Sequence, residues 1–99
     1  MDITFADRNL RKFANNYSLA QRKMGDKRAK LYHQRLDDMK DSLSFDDLDK
    51  LPGNFHNLSA NRNGQWACDL DHPYRLIFEP GISPVPTNEH GTILLNEIE

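Results

Sequence analysis

The 99-residue sequence predicts an α+β domain in which two N-terminal helices pack on a small antiparallel β-sheet. Between positions 10 and 43, apolar residues recur at intervals of three and four, the period of a helix with one buried face. Residues 54–79 instead hold three short runs of strand-forming residues separated by turn signals. Helices that precede a group of strands are typical of an α+β fold, and the length predicts one domain covering residues 1–99.

The N-terminal part predicts a strand followed by a helix. Residues 3–5 are β-branched and aromatic, which favours a strand. Asp7 is a candidate for the N-cap of the first helix, because its carboxylate can accept from free backbone N–H groups. An apolar stripe runs from Leu10 to Tyr17, and we expect this helix to end near Gly25.

A second, longer helix is expected after Gly25. Its predicted buried positions are Ala29, Tyr32, Leu36, Met39 and Leu43. Residues 44–47 resemble a capping signal and predict one further helical turn that carries Leu48 and Leu51. Pro and Gly at positions 52–53 end it.

Residues 54–79 predict an antiparallel meander. Asn and Gly at 63–64 are the strongest short signal for a two-residue hairpin, because both tolerate positive φ. Residues 71–73 predict the second reversal. The third run, residues 74–79, has a period of two that separates its aromatic face from Arg75.

The rest of the chain predicts a loop and one more strand. Residues 80–91 are rich in Pro and Gly, which favours a loop without regular structure, and residues 92–98 could form a last strand. We interpret Trp66 and Tyr74 as core residues and Cys68 as a small buried apolar residue.

Composition indicates a cytoplasmic protein. One cysteine excludes an internal disulfide, and neither a secretory signal nor a membrane-spanning run is predicted. The net charge of −2 hides an asymmetry: residues 1–40 hold ten basic and five acidic side chains, and residues 41–99 hold three and ten. A basic half attracts nucleic-acid backbones, although solvated helix faces explain the same pattern.

The candidate site residues are His56, Arg62 and Arg75. The spacing of His and Cys predicts no metal site, and no phosphate-binding glycine loop or cofactor motif is present. A histidine beside cations suits RNA cleavage, which needs a proton acceptor, a cation for the developing phosphorane charge and a proton donor. No metal is required when the 2′-oxygen attacks. The alternatives are a structural histidine and an arginine paired with Asp69 or Glu79.

The same stretch resembles the HigB branch of RelE/ParE-type toxins. The matching segments are residues 51–58, 61–66 and 71–78. Relatives carry a leading Pro, a Phe-His-x-Leu or Leu-His-x-Leu strand, a Gly-Asp-Arg-x-Gly-Gln hairpin and a Tyr-Arg-Leu-Ile-Phe strand. The resemblance covers most of the chain, and its combined motif is more specific than any one piece.

The resemblance implies the toxin of a type II toxin–antitoxin pair that cuts messenger RNA in the ribosomal A site without metal or cofactor. A HigA-like helix-turn-helix antitoxin would neutralise it, and the pair would bind operator DNA only through the antitoxin. His56 and Arg75 match family catalytic residues, and Arg62 matches the hairpin arginine. The basic helix residues that would then face ribosomal RNA are Arg8, Arg11, Lys12, Lys27, Arg28 and Lys30.

Three departures from the family pattern leave a second interpretation open. Ser59 stands where many relatives carry lysine, residues 60–62 replace Gly-Asp-Arg, and the sequence stops at Glu99 before the usual Asp-Tyr-His ending. The sequence is then either cut short in its last strand or that of a weakened member. The alternative is a non-catalytic protein on the same fold that blocks a gyrase-type target or only binds its antitoxin as co-repressor.

Overall fold

A computed structural model describes residues 1–81 and 91–99 of the chain. In these residues the helices are α1 (Arg8–Asn15), α2 (Tyr17–Met24) and α3 (Asp26–Asp41), with 3-10 helices at Phe45–Lys50 and Ala60–Arg62. The strands are β1 (Asp2–Phe5), β2 (His56–Asn57), β3 (Trp66–Asp69), β4 (Arg75–Pro80) and β5 (Thr92–Ile98). No helix in this part of the chain is long and apolar enough to cross a membrane.

The strands form one sheet in the order β1-β5-β4-β3-β2, which confirms the predicted α+β class. The sheet is mixed, and not antiparallel throughout as predicted, because β5 runs parallel to β1 and antiparallel to β4. The pairing of β4 with β5 skips a residue: Ile77 lies opposite Glu97 and Phe78 opposite Leu95, so that Asn96 forms a bulge. The alternation of side chains predicted the faces of the strands, but it carries no information on which strands pair.

The core lies between α3 and one face of the sheet. Its largest fully buried side chains include Tyr32 and Met39 of α3 and Phe78 of β4. Phe78 is surrounded by aromatic rings, with centroid distances of 6.0 Å to Phe55 and 6.2 Å to Trp66. The predicted core role of Trp66 is therefore confirmed.

The predicted first helix is divided into α1 and α2 at Asn16. Asp7 caps α1 as expected, and its carboxylate accepts from two backbone N–H groups. Asn16 has extended backbone angles, and its side chain accepts from the N–H of Leu19 at 3.0 Å. An asparagine that caps a new helix competes with continuation of the first one. Tyr17 consequently starts α2 and is 40% exposed instead of extending the buried stripe of α1.

The end of α3 corrects one predicted buried residue. The helix stops at Asp41, and Leu43 beyond it is 67% exposed. The Ser42 hydroxyl donates to the carbonyl of Asp38 at 2.9 Å, and the amino group of Met1 donates to the Ser42 carbonyl at 2.6 Å. These bonds turn the chain out of the helical path, so the helical period no longer applies at position 43.

The predicted two-residue hairpin at Asn63 and Gly64 is wrong. The connection from β2 to β3 spans residues 58–65, contains a 3-10 turn, and is closed by the N–H of Leu58 donating to the Gln65 carbonyl at 2.8 Å. Of the two turn residues only Gly64 has positive φ, at 90°. The 3-10 turn at Ala60–Arg62 has negative φ values, so the connection needs positive φ at Gly64 and not at Asn63.

The reversal at residues 71–73 is confirmed, and it is attached to α3 by Arg28. The guanidinium of Arg28 donates to both carboxylate oxygens of Asp71, at 2.8 and 3.1 Å, and lies 3.5 Å from the ring centroid of Tyr74. Tyr74 is 39% exposed, so the prediction that it belongs to the core is wrong. Tyr74 precedes β4, and its ring packs on the guanidinium of Arg28 instead of the core.

The last strand is confirmed as β5, whereas residues 82–90 of the predicted loop lie outside the described residues. Cys68 is fully buried, and burial raises the pKa of its thiol. This confirms its interpretation as a small apolar core residue, because a reactive cysteine needs an accessible thiolate.

We predict that Tyr32→Phe lowers the free energy of unfolding by about 1 kcal/mol, because the buried Tyr32 hydroxyl donates to the Leu10 carbonyl at 2.8 Å. Urea denaturation followed by circular dichroism measures this. Tyr17→Phe is the matched control and should change stability by less than about 0.5 kcal/mol. Equal effects in the two variants would contradict a stabilising role for the Tyr32 hydrogen bond.

We predict that Arg28→Ala lowers the free energy of unfolding by about 1–2 kcal/mol, since it removes a bidentate ion pair and a cation–π contact together. Lys27→Ala removes the same charge from the neighbouring exposed position. The same urea titration should leave that control within about 0.5 kcal/mol of the parent chain. A loss as large in Lys27→Ala would mean that helix charge, and not the Asp71 contact, stabilises the fold.

Candidate functional site

The predicted site lies on the sheet face that points away from the helices. Directly opposite residues of paired strands point to the same side of a sheet. The pairings place His56, Ala67, Ile77 and Glu97 in one row across β2, β3, β4 and β5. Phe78, next to Ile77, belongs to the core, so this row is on the opposite face. We call the face that carries the row the open face.

His56 is positioned by the segment before β2. Gly53 has φ of 113°, and a Cβ there would lie 2.5 Å from the guanidinium nitrogen Nε of Arg35, so this turn requires glycine. Asn54 follows with φ of 55°, and its side-chain amide donates to Asp69 at 3.3 Å. The Asn54 carbonyl lies 2.7 Å from His56 Nδ1. A carbonyl only accepts, so Nδ1 carries the proton in this contact and neutral His56 presents Nε2 as an acceptor.

Arg75 is on the open face, as predicted, and its partner is Glu99. Its Nε donates to Glu99 Oε1 at 3.1 Å and its Nη2 donates to the same oxygen at 2.5 Å. Two backbone hydrogen bonds between the same two residues, of 3.0 and 2.9 Å, hold them side by side. The ion pair that we considered with Asp69 or Glu79 is formed with Glu99 instead.

Arg62 reaches the same carboxylate from the other side. Its guanidinium donates to Glu99 Oε2, to Glu97 Oε1 at 3.2 Å and to Gln65 at 3.3 Å. Gln65 precedes β3 and both glutamates follow the bulge of β5, so the Arg62 side chain lies over β4. This agrees with the complete burial of Ile77, which shares the open face with Arg75.

His56 and Arg75 share the open face without contacting each other. They lie on β2 and β4, two strands apart and offset by two residues along the register. Ordinary strand spacing and rise put their Cα atoms roughly 12 Å apart. The Arg75 guanidinium points to Glu99 beside β5, away from β2. The structure therefore brings Arg62 and Arg75 together and leaves His56 at the other side of the face.

The carboxylates of Glu97 and Glu99 are the site residues that sequence analysis missed. Glu97 lies in the predicted last strand and Glu99 directly after it, and this spacing of two is a signal for one shared face. Their distance from the arginines in sequence hid the contact, because it depends on β5 pairing with β4. The two arginines and two glutamates, which we call the Arg–Glu cluster, balance one another in charge.

The hydrogen bond from Arg75 lowers the pKa of the Glu99 carboxyl below its ordinary value, with a smaller contribution from the charge of Arg62. Glu99 is therefore ionised at neutral pH. The hydrogen bond from Arg28 lowers the pKa of Asp71 in the same way. No group of three or more metal-ligating side chains occurs in the described ranges.

The basic residues assigned to RNA binding are spread along α1 and α3. The exposed members are Arg8, Arg11, Lys12, Lys27 and Lys30. Arg28 differs from them because its guanidinium is engaged by Asp71 and Tyr74. A ligand that approached Arg28 would have to compete with this pair.

Comparison with solved structures shows the fold. A YoeB/ParE toxin from Agrobacterium tumefaciens is similar over 99% of this chain and 95% of its own, with a TM-score of 0.55 and 13% sequence identity. A likeness at this identity concerns architecture, and it agrees with the fold that the resemblance implied. No family model and no curated protein matches the sequence.

We predict that two carboxyls make the fold sensitive to acid. Asp71 and Glu99 both have a pKa below the ordinary values of 3.8 and 4.5, so their contribution to stability is present above those values. It is lost as pH falls through the lower pKa values of the folded state. Unfolding free energies measured at about pH 6 and about pH 3 should differ less in an Asp71→Asn/Glu99→Gln variant than in the parent. Parallel pH curves would contradict this.

Proposed function

We propose that this chain is the toxin of a type II toxin–antitoxin pair, of HigB type, and that it cleaves translated messenger RNA in the ribosomal A site. The observation that carries the proposal is the convergence of two guanidinium groups, from Arg62 and Arg75, on one pair of carboxylate oxygens. Two arginines that bind one carboxylate in this way also suit the oxygens of a phosphodiester. The fold shared with a YoeB/ParE toxin supports it.

In the proposed reaction, the 2′-oxygen of RNA attacks the phosphorus and the bond to the 5′-oxygen breaks. Arg75 stabilises the charge that develops on the phosphoryl oxygens, and Arg62 holds the phosphate in position. His56 acts through Nε2 as general base or general acid: it takes the proton of the attacking 2′-hydroxyl or gives one to the leaving 5′-oxygen, and water makes the other proton transfer. Its Nδ1 is held by the Asn54 carbonyl. RNA must lie across β3 to reach both His56 and the arginines.

The partners follow from the same proposal. The basic side chains of α1 and α3 would contact ribosomal RNA through its phosphates. A HigA-like helix-turn-helix antitoxin would neutralise the toxin and carry the pair to operator DNA. The site of action would be the cytoplasm, where translated messenger RNA is found.

A second candidate is a non-catalytic protein on this fold, favoured by the neutralised Arg–Glu cluster. Glu97 and Glu99 form ion pairs with Arg62 and Arg75 and neutralise their charges. His56 contacts neither arginine. Such a chain would act by binding, either to a gyrase-type target or only to its antitoxin as co-repressor.

The test is growth after induced expression, with mapping of messenger-RNA 5′ ends. We expect the parent chain to arrest growth and to produce new 5′ ends within translated codons. Arg75→Ala and His56→Ala should lower cleavage by at least about a hundredfold, the size expected when a charge-stabilising or proton-transferring group is lost.

Arg22→Ala, an exposed arginine on α2, is the matched control and should cleave like the parent. Soluble, folded protein must be verified for each variant by circular dichroism. Arrest without cleavage would support a gyrase-type target, and a folded chain that causes no arrest would support the antitoxin-binding role. Cleavage that survives Arg75→Ala would overturn the assigned site.

A further inference from the structure

The carboxylate of Glu99 lies between the guanidinium groups of Arg62 and Arg75. Oε1 accepts from Nε and Nη2 of Arg75, and Oε2 accepts from Nη2 of Arg62. Each oxygen is thus held by a different guanidinium. Two oxygens of a phosphate or sulfate group would use the same donors, because the planar fork of N–H groups on arginine also matches the spacing of two oxygens on these ions.

We infer that Glu99 is an internal competitor at an oxyanion site formed by Arg62 and Arg75, and that an anionic ligand binds there by displacing its side chain. The ligand class is a tetrahedral oxyanion, which is the phosphodiester of RNA if the proposed function holds. The inference rests on that function only for the identity of the ligand. It adds a regulatory role for a residue that the proposed reaction does not use.

The contacts of Glu99 allow its side chain to leave while its backbone stays. The backbone N–H and C=O of Glu99 are both bonded to Arg75, so the strand pairing does not depend on the carboxylate. The side chain is 33% exposed, so water screens its ion pairs and their loss lowers stability only modestly. Displacement therefore breaks two surface ion pairs and leaves the sheet intact.

The neighbouring carboxylate of Glu97 strengthens the competition. It accepts a hydrogen bond from Arg62 at 3.2 Å, and its side chain is half exposed. When Glu99 leaves, Arg62 keeps this second partner while Arg75 loses its ion-pair partner. An incoming anion should therefore interact most strongly with Arg75. Arg62 should bind the anion and Glu97 at the same time.

The test is the affinity of the whole chain for sulfate, whose charge does not change near neutral pH. Binding is measured by NMR titration of arginine Nε signals at constant ionic strength. Glu99→Gln should bind sulfate at least about tenfold more tightly than the parent, because it removes a charge that lies against both arginines. Glu99→Ala, which cannot reach either arginine, should show the same gain.

Glu79→Gln is the matched control, since it removes one partly exposed carboxylate from β4 without touching the Arg–Glu cluster. Its affinity for sulfate should stay within about threefold of the parent, the size of a general charge effect. In an Arg75→Ala/Glu99→Gln double variant the gain should disappear, which would locate the sulfate at the arginines.

Equal gains in sulfate affinity in Glu79→Gln and Glu99→Gln would overturn the inference, because they would show an effect of net charge. An unchanged affinity in Glu99→Gln would also overturn it, because Glu99 would then not compete with the anion. Sulfate binding involves neither ribosome nor RNA. A chain that meets these expectations without arresting growth would overturn the proposed function alone. A chain that cleaves messenger RNA while Glu99→Gln binds sulfate like the parent would overturn the inference alone.

Discussion

The position of β5 between β1 and β4 is the constraint on which the rest of the structure depends. One face of this strand supplies Ile93 and Leu95 to the core, and both are fully buried. After the bulge at Asn96, the other face carries Glu97 and Glu99 to the arginines. The same strand therefore joins the two ends of the chain in one sheet, completes the core and sets the charge of the open face.

Electrostatic balance distinguishes this open face from a simple cationic surface. An isolated pair of arginines would attract any polyanion, whereas arginines held by carboxylates bind only a ligand that competes with those carboxylates. The depressed pKa of Glu99 and its two ion pairs have one cause, the approach of Arg62 and Arg75. A change that moved either arginine away from Glu99 would therefore alter both the pKa of the carboxyl and its ion pairs.

Tertiary contacts also change the roles of residues that share one sequence pattern. The basic positions of α1 and α3 are alike in sequence, yet Arg28 attaches α3 to the turn before β4 while its neighbours face solvent. Tyr74 completes that attachment instead of entering the core. A cation in such a contact stabilises the fold, and its contribution to ligand binding is correspondingly reduced.

The sequence by itself determined the α+β class, the cap at Asp7, the core face of α3 and the existence of the last strand, because each follows from local spacing and side-chain chemistry. It also predicted that Arg75 stands on the face of the sheet opposite the core. Only the tertiary structure decided that the sheet is mixed and that Glu99 binds both arginines. Those features depend on which distant segments pair, and strand register brings residues together that no local period connects.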